Sequence, residues 1–301
     1  QEISEKKNYG KMNSFIEIQG QATSVISGAF AAVLITGVDQ EFLKNIGLNG
    51  VINIKIEAWS IHEIFLMDAF TYALAFLLIL GIKYQPIVKE KVHLGSVYTR
   101  LKQGAQFLKK HPLFFHFGLG SYAVFAMFLV HMHQLVPTYI NNHLEANSAV
   151  YAGTKVLYAL GAMLSGIGIR WIFKNTNTVK AIIIMMFISF IAFELLTFSK
   201  SSILLMFVCF ILGLTNAGTR VLRITYLFNH IPNNLIGRTS SVFQTLNVLV
   251  RFTFIVLFSM TFLAKKQNIT WSYFVIGMFI FISTFPLIIY YKKLIKMKIN
   301  E

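Results

Sequence analysis

Long runs of apolar residues alternate with short polar segments along the whole chain. Eight runs are long enough to cross a bilayer, which takes roughly 20 mostly apolar residues in helical form. They lie at residues 15–38, 61–82, 113–137, 149–171, 180–198, 202–224, 237–263 and 270–291. Each run is far too long for a strand of a membrane barrel. The pattern therefore predicts an all-α polytopic membrane protein with eight transmembrane helices.

One connection between the runs carries a helical pattern of its own. In the segment 83–112, Val97, Leu101, Ala105 and Leu108 recur at helical spacing, and basic residues occupy the other faces. This is typical of an amphipathic helix that lies on the anionic cytoplasmic leaflet of a membrane.

The spacing of the runs predicts three regions. The first holds two helices joined by a long outer loop at 39–60, the second is the amphipathic linker, and the third holds six helices. Their bounds are 1–82, 83–112 and 113–301. Six helices after a central basic linker suggest the second half of a larger repeat protein whose first half is shortened to two helices. We therefore expect a fragment that lacks N-terminal helices of the same protein.

Composition and charge support a membrane protein. The chain is 55% hydrophobic and only 13% charged, about half the usual charged share. The net charge of +15 could indicate a nucleic-acid partner, but the position of the charges argues against it. If the N-terminus is cytoplasmic, 20 of the 27 Lys and Arg residues fall on inner segments and five on outer ones. This is the positive-inside pattern, and it predicts a cytoplasmic C-terminus.

Four stretches of the sequence resemble one family of transporters. LKQGAQFLKKHPLFF (101–115) resembles the junction of linker and seventh helix in the major facilitator superfamily. The segment RVLRITYLFNHIPNNLIGRTSSVFQTLNVLVR (220–251) resembles the junction of helices ten and eleven in its efflux-permease branch, which includes macrolide and siderophore exporters. The stretches at 16–37 and 64–81 look like the fifth and sixth helices. The resemblance implies a bundle in which this chain supplies helices five to twelve of twelve.

Arg251 lies inside the apolar run at 237–263. Ser240, Gln244, Asn247 and Arg251 fall on one helix face. Arg251 is 14 residues beyond Gly237, which places it about 21 Å into the helix and close to mid-membrane. A charged residue at that depth is expected to face a polar cavity or a neighbouring helix. We interpret Gln244, Asn247 and Arg251 as substrate-binding residues; the alternative is a structural arginine paired for packing.

Other polar residues inside the apolar runs are weaker candidates. His131, Asn216 and Lys155 lie on helices that line the central cavity in the family resembled. Asp68, His131 and Glu194 are candidates for coupling to protons, since each can change its charge. Each also has a structural interpretation as a packing residue, an interhelical hydrogen bond or a side chain that reaches the surface.

Small residues recur every four positions in two runs, at Gly20, Ser24 and Gly28 and again at Gly161 with Ser165. This spacing predicts close approach of neighbouring helices.

Signatures of common enzymes are missing from the sequence, which has no HExxH, GxSxG or P-loop motif. We therefore expect no enzyme activity, no cofactor and no metal site. The leading hypothesis is a proton-coupled secondary transporter of a bacterial inner membrane that exports a small molecule by alternating access. Its partners would be that molecule, H⁺ and the lipid bilayer. The alternative is an eight-helix membrane scaffold or accessory subunit.

Overall fold

The computed structural model describes residues 5, 8–37, 57–83, 96–146, 148–173, 175–264 and 268–297, and most of these residues are helical. In this part of the chain, eight helices are long and apolar enough to span a membrane, which confirms the predicted all-α class. The helices are α1 Tyr9–Thr36, α2 Ile61–Leu80, α3 Val97–Lys110, α4 Pro112–Leu144, α5 Ser148–Ile172, α6 Thr178–Thr197, α7 Ser202–His230, α8 Asn233–Phe258, α9 Thr261–Ala264, α10 Ile269–Ile289 and α11 Tyr291–Lys296.

Several spanning helices are longer than their apolar runs predicted. Helix α4 continues to Leu144 instead of residue 137, and it includes two π-helical turns, His131–Leu135 and Ile140–Leu144. Pro137 cannot donate to the helical ladder, and a locally widened turn is one way in which a helix continues past such a residue. Helix α7 likewise continues to His230 instead of residue 224, because helices extend beyond the hydrocarbon that hydropathy detects.

The starts of two helices are fixed by short polar side chains. The side chain of Asn177 accepts a hydrogen bond from the backbone N–H of Lys180 at 2.8 Å, before α6. The hydroxyl of Ser201 does the same for Leu204 at 3.3 Å, before α7. Such caps satisfy backbone donors that the first turn of a helix leaves free.

The chain divides into two compact units, and nearly all of the polar contacts described below lie in the larger one. The larger unit contains residues 3–21 and 92–301 and the smaller one residues 22–91. In the smaller unit, the backbone N–H of Trp59 donates to the carbonyl of Leu34 at 2.7 Å. Glu63 caps α2 by accepting the backbone N–H of Ser60 at 2.7 Å. The predicted outer loop at 39–60 lies mostly outside the described residues.

Two glycines allow the closest helix pair of the larger unit to form. A Cβ atom added at Gly161 of α5 would collide with the carbonyl oxygen of Phe210 on α7, and one at Gly213 of α7 would collide with the carbonyl of Tyr158 on α5. The prediction of close packing is therefore confirmed at Gly161. No described atom lies within 4 Å of the corresponding Cβ position at Gly20 or Gly28, so those glycines mark no such contact.

Helix α3 is present where the amphipathic pattern predicted it, but its packed face coincides only in part with the predicted apolar face. Gly104 lies directly against the backbone carbonyl of Arg238 on α8, and Leu108 is only 2% exposed. Val97 is 71% exposed, and Ala105 is exposed as well. The side of α3 that carries Gly104 therefore contacts α8, because only glycine lets the two helix backbones come this close.

Candidate functional site

The predicted polar face of α8 has three different environments along its length. Gln244 is exposed, whereas Asn247 is only 5% exposed and its amide nitrogen has no hydrogen-bond partner among the described residues. Arg251 is half-buried, and its Nε atom is enclosed and without a partner in the same part of the chain. Both unpaired groups are hydrogen-bond donors. The polar face of α8 therefore presents two hydrogen-bond donors for which the described residues supply no acceptor.

The bounds of α8 give the position of Arg251 along its helix. Because α8 begins at Asn233 and ends at Phe258, Arg251 lies about 27 Å from its start and about 10 Å from its end. It lies inside the spanning helix, about 8 Å along the axis from the middle of α8 towards its C-terminal end. The helix begins four residues before the apolar run, so Arg251 lies farther from its start than predicted.

A buried ion pair joins α1 to α7 in the larger unit. Arg220 donates from Nε to Oε2 of Glu17 at 2.7 Å and also from Nη2 to the same oxygen. The side chain of Glu17 is 3% exposed and that of Arg220 is 35% exposed. Gln21 donates to the other carboxylate oxygen of Glu17 at 2.9 Å. Both oxygens of the carboxylate are thus hydrogen-bonded, as a buried charge requires.

Neighbouring contacts hold the first half of α1 along α7 and α5. The amide of Asn13 donates to the hydroxyl of Thr225 at 3.0 Å. One turn before Glu17, the backbone of Ser14 approaches Gly166 of α5. A Cβ atom added at Gly166 would lie 3.2 Å from the carbonyl oxygen of Ser14. The ion pair is therefore part of a continuous interface and not an isolated contact.

Arg223 is buried one turn beyond Arg220. Its side chain is 2% exposed, donates from Nη1 to the carbonyl of Ser121 at 2.8 Å and lies 3.7 Å from the centre of the Tyr122 ring. Tyr122 in turn stacks on Phe243 of α8, with ring centroids 5.6 Å apart. A desolvated cation over an aromatic face contributes about 2 kcal/mol. Arg223 therefore ties α7 to α4, and through Tyr122 to α8.

Asn216, a predicted cavity residue, lies one turn before Arg220 on α7. It is 4% exposed, and its amide donates to the hydroxyl of Tyr158 on α5 at 2.9 Å. Its side-chain oxygen is buried without a described partner. The hydrogen bond fits the structural interpretation of this residue, and the unpaired oxygen leaves it able to bind a further donor.

His131 lies in the core of the larger unit, at the first residue of a π-helical turn. It has no exposed surface, and its Nε2 atom is 3.6 Å from Sγ of Cys209 on α7. The rings of Phe193 and Tyr273 meet it edge to face, at 5.3 and 5.6 Å. In this conformation His131 is enclosed, so its predicted contact with substrate or protons stays a prediction.

The remaining candidates are spread over three helices. Lys155 is exposed on α5, with its ammonium 5.2 Å from the ring of Tyr151. Glu194 on α6 is half-buried; its Oε1 atom packs against Gly277 of α10 and has no described hydrogen-bond partner. Asp68 is exposed on α2, in the smaller unit. No hydrogen bond among the described residues joins any of these three to the polar face of α8.

Sequence reasoning missed the charged residues with the most structural contacts. Arg220 and Arg223 were counted as inner charges, because they lie at the inner end of the run at 202–224. The structure places both within α7, which ends at His230. Glu17 was overlooked inside a helix rich in small residues. A carboxylate within an apolar run was the available signal, since such residues are costly in membranes and usually functional.

Eight spanning helices with charged groups enclosed between them define a polytopic membrane protein. The sequence profile described as Major Facilitator Superfamily matches residues 1–255. The chain therefore belongs to the Major Facilitator Superfamily, which confirms the family resemblance. No curated protein matched the sequence.

A solved structure shares the fold. It is described as the crystal structure of a bacterial homologue of the iron transporter ferroportin in the outward-facing state. The match has a TM-score of 0.59 at 13% sequence identity and covers 96% of this chain. The chain spans 65% of the length of that structure's chain. At this identity the match establishes a common fold and does not extend to the cargo.

Proposed function

We propose that the chain is the larger part of a secondary transporter that exports a small molecule from a bacterial cell in exchange for protons. The observation that carries the proposal is the buried Glu17–Arg220 pair, which joins two spanning helices of a major facilitator protein. Buried charges inside membranes are costly and tend to mark transport pathways. A transporter with two alternating conformations gives this pair a role that an inert membrane scaffold does not need.

The pair would act as a gate at one end of the pathway. Glu17 lies eight residues from the start of α1 and Arg220 ten residues from the end of α7, so the pair is about 12–15 Å from both helix ends. These ends belong to the segments rich in Lys and Arg, which supports a cytoplasmic position. By the resemblance, α1 and α7 correspond to helices five and ten, which belong to opposite halves of the transporter. Contact between them closes the cytoplasmic side.

Proton binding at Glu17 would open this gate. A protonated carboxyl group no longer carries the charge that attracts Arg220, so the electrostatic part of the contact is lost. Glu17 therefore joins the earlier candidates Asp68, His131 and Glu194 as a coupling residue, and its carboxylate forms an ion pair with a second helix. Proton binding and separation of the two helices would thus be linked through the one Glu17–Arg220 ion pair.

The polar face of α8 would bind the exported molecule. Arg251 and Asn247 present unpaired donors, and Gln244 is exposed beside them. Movement of the helices during transport would bring Asn216, Lys155 and His131 to the same cavity. We further propose that the remaining four helices of a twelve-helix bundle precede these residues and complete the site. The share of the matched structure that this chain covers supports that proposal.

A transport assay with the complete transporter tests the proposal. Inverted membrane vesicles are energised, and a pH-sensitive dye reports proton release as anionic, neutral and cationic test compounds are added in turn. We expect at least one compound to dissipate the proton gradient with wild type. Arg251→Gln and Arg251→Lys should fold but abolish that signal, because lysine lacks the planar fork of arginine.

The control for this assay is Lys200→Gln, which removes an exposed positive charge at the start of α7 and should leave transport unchanged. Proton movement that is equal in wild type and Arg251→Gln would overturn the assignment of Arg251. If no compound produced a signal in any variant, the transporter proposal would give way to a membrane scaffold.

A further inference from the structure

An apolar cavity opens between α3, the start of α4 and α8. Its volume is about 280 Å³. Most of the side chains that line it are apolar, and the exception is a lysine; the set is Ala105, Leu108, Lys109, Pro112, Phe115 and Val242. A site with this lining suits a hydrocarbon group with a negative charge beside it.

The cavity lies at the start of α4 and in the first half of α8. Pro112 is the first residue of α4, and Val242 is nine residues from the start of α8, or about 13 Å along the helix axis. Amphipathic helices such as α3 lie at the boundary between lipid headgroups and acyl chains. A bound lipid could therefore keep its headgroup outside the cavity while one chain enters it.

Positive charge borders this opening on α3. Lys102 and Lys109 are seven residues apart, so they point within about 20° of the same direction, and Ala105 lies between them on that face. Both lysines are exposed. The helix carries two further basic residues, Arg100 and Lys110, and no acidic residue. An anion beside Ala105 would thus have an ammonium group on either side.

Helix α3 holds the cavity open between fixed walls. Gly104 lies against the backbone carbonyl of Arg238, and Leu108 is 2% exposed. The Gly104 contact cannot be kept if α3 lifts from α8. The space between the two helices is therefore a built feature of the larger unit.

We propose that this cavity binds a phospholipid with a negatively charged headgroup. One acyl chain packs against Phe115 and Val242, and the phosphate lies between Lys102 and Lys109. Basic residues at a membrane surface each strengthen binding of anionic lipid about fivefold, so the two lysines together account for about 25-fold. The site does not depend on transport, and it would exist in a scaffold protein of the same structure.

Native mass spectrometry of the purified full chain in neutral detergent tests this proposal. The probes are phosphatidylglycerol and phosphatidylcholine with identical acyl chains. We expect wild type to retain phosphatidylglycerol at about a tenth or less of the concentration that phosphatidylcholine needs. Lys102→Gln/Lys109→Gln should weaken phosphatidylglycerol binding by about 25-fold and leave phosphatidylcholine binding unchanged.

Two further variants separate a built site from general surface charge. Lys292→Gln/Lys296→Gln removes two exposed lysines from α11 and should bind phosphatidylglycerol as wild type does. Ala105→Trp fills the cavity without changing charge and should lose binding of this lipid. Equal binding of the two lipids, equal losses in the two double variants, or normal binding by Ala105→Trp would each overturn the proposal.

Discussion

The Glu17–Arg220 gate gives the sharpest quantitative prediction, through the substitution Glu17→Gln. Glutamine keeps the size of glutamate and can still accept one hydrogen bond from Arg220, but it removes the negative charge. Loss of one partner from a fully buried ion pair costs about 3–5 kcal/mol. Arg220 is 35% exposed, so water compensates part of this loss. We therefore expect the closed interface to lose about 1.5–2.5 kcal/mol, or a population shift of about 10–60-fold.

Maleimide labelling of an introduced cysteine measures this shift. Ser14 lies one turn before Glu17, is 6% exposed and has a hydroxyl without a described hydrogen-bond partner, so Ser14→Cys disturbs little. The chain has a single native cysteine, Cys209, which is fully buried and adds little background. We expect the labelling rate of Ser14→Cys to rise at least tenfold when Glu17→Gln is added, because α1 separates more often from α5 and α7.

Two controls decide the cause of any increase. The charge exchange Glu17→Arg/Arg220→Glu should return labelling towards the wild-type rate, since the pair forms again with reversed sign. Glu145→Gln neutralises an exposed carboxylate just beyond the end of α4 and should have no effect. The gate is refuted if Glu17→Gln labels at the wild-type rate, or if the charge exchange labels as fast as the single variant.

Two other contacts give predictions about stability. Arg223→Lys should lower the free energy of unfolding by about 1–2 kcal/mol, because a point charge loses the planar contact with Tyr122. A double-mutant cycle with Tyr122→Leu in thermal unfolding checks this, and strictly additive effects would exclude the contact. Gly161→Ala should lower the free energy of unfolding by about 1–3 kcal/mol, because its Cβ atom collides with the carbonyl oxygen of Phe210. Gly168→Ala is the matched control in the same assay, since its Cβ would lie 3.5 Å from the nearest atom, and equal losses in both variants would contradict the close contact.

The sequence by itself determined the fold class and the number of spans. A bilayer sets the length of every spanning helix, so the apolar runs alone located all eight spanning helices that the described residues contain. The period of the α-helix likewise placed Asn247 and Arg251 on one face. The ends of helices were harder, as Arg220 and Arg223 illustrate, because a helix continues into water without a change that hydropathy detects.

The tertiary structure alone decided which polar groups meet. Glu17 and Arg220 are 203 positions apart, and nothing in either local pattern identifies the other as its partner. His131 was placed in a cavity by resemblance, whereas the fold encloses it beside Cys209. Gly20 and Gly161 have similar spacing patterns, and only Gly161 contacts a backbone. The physical reason is that lipid is as apolar as the helices themselves. Which faces pair therefore depends on shape and on buried polar contacts, and those exist only once the helices are assembled.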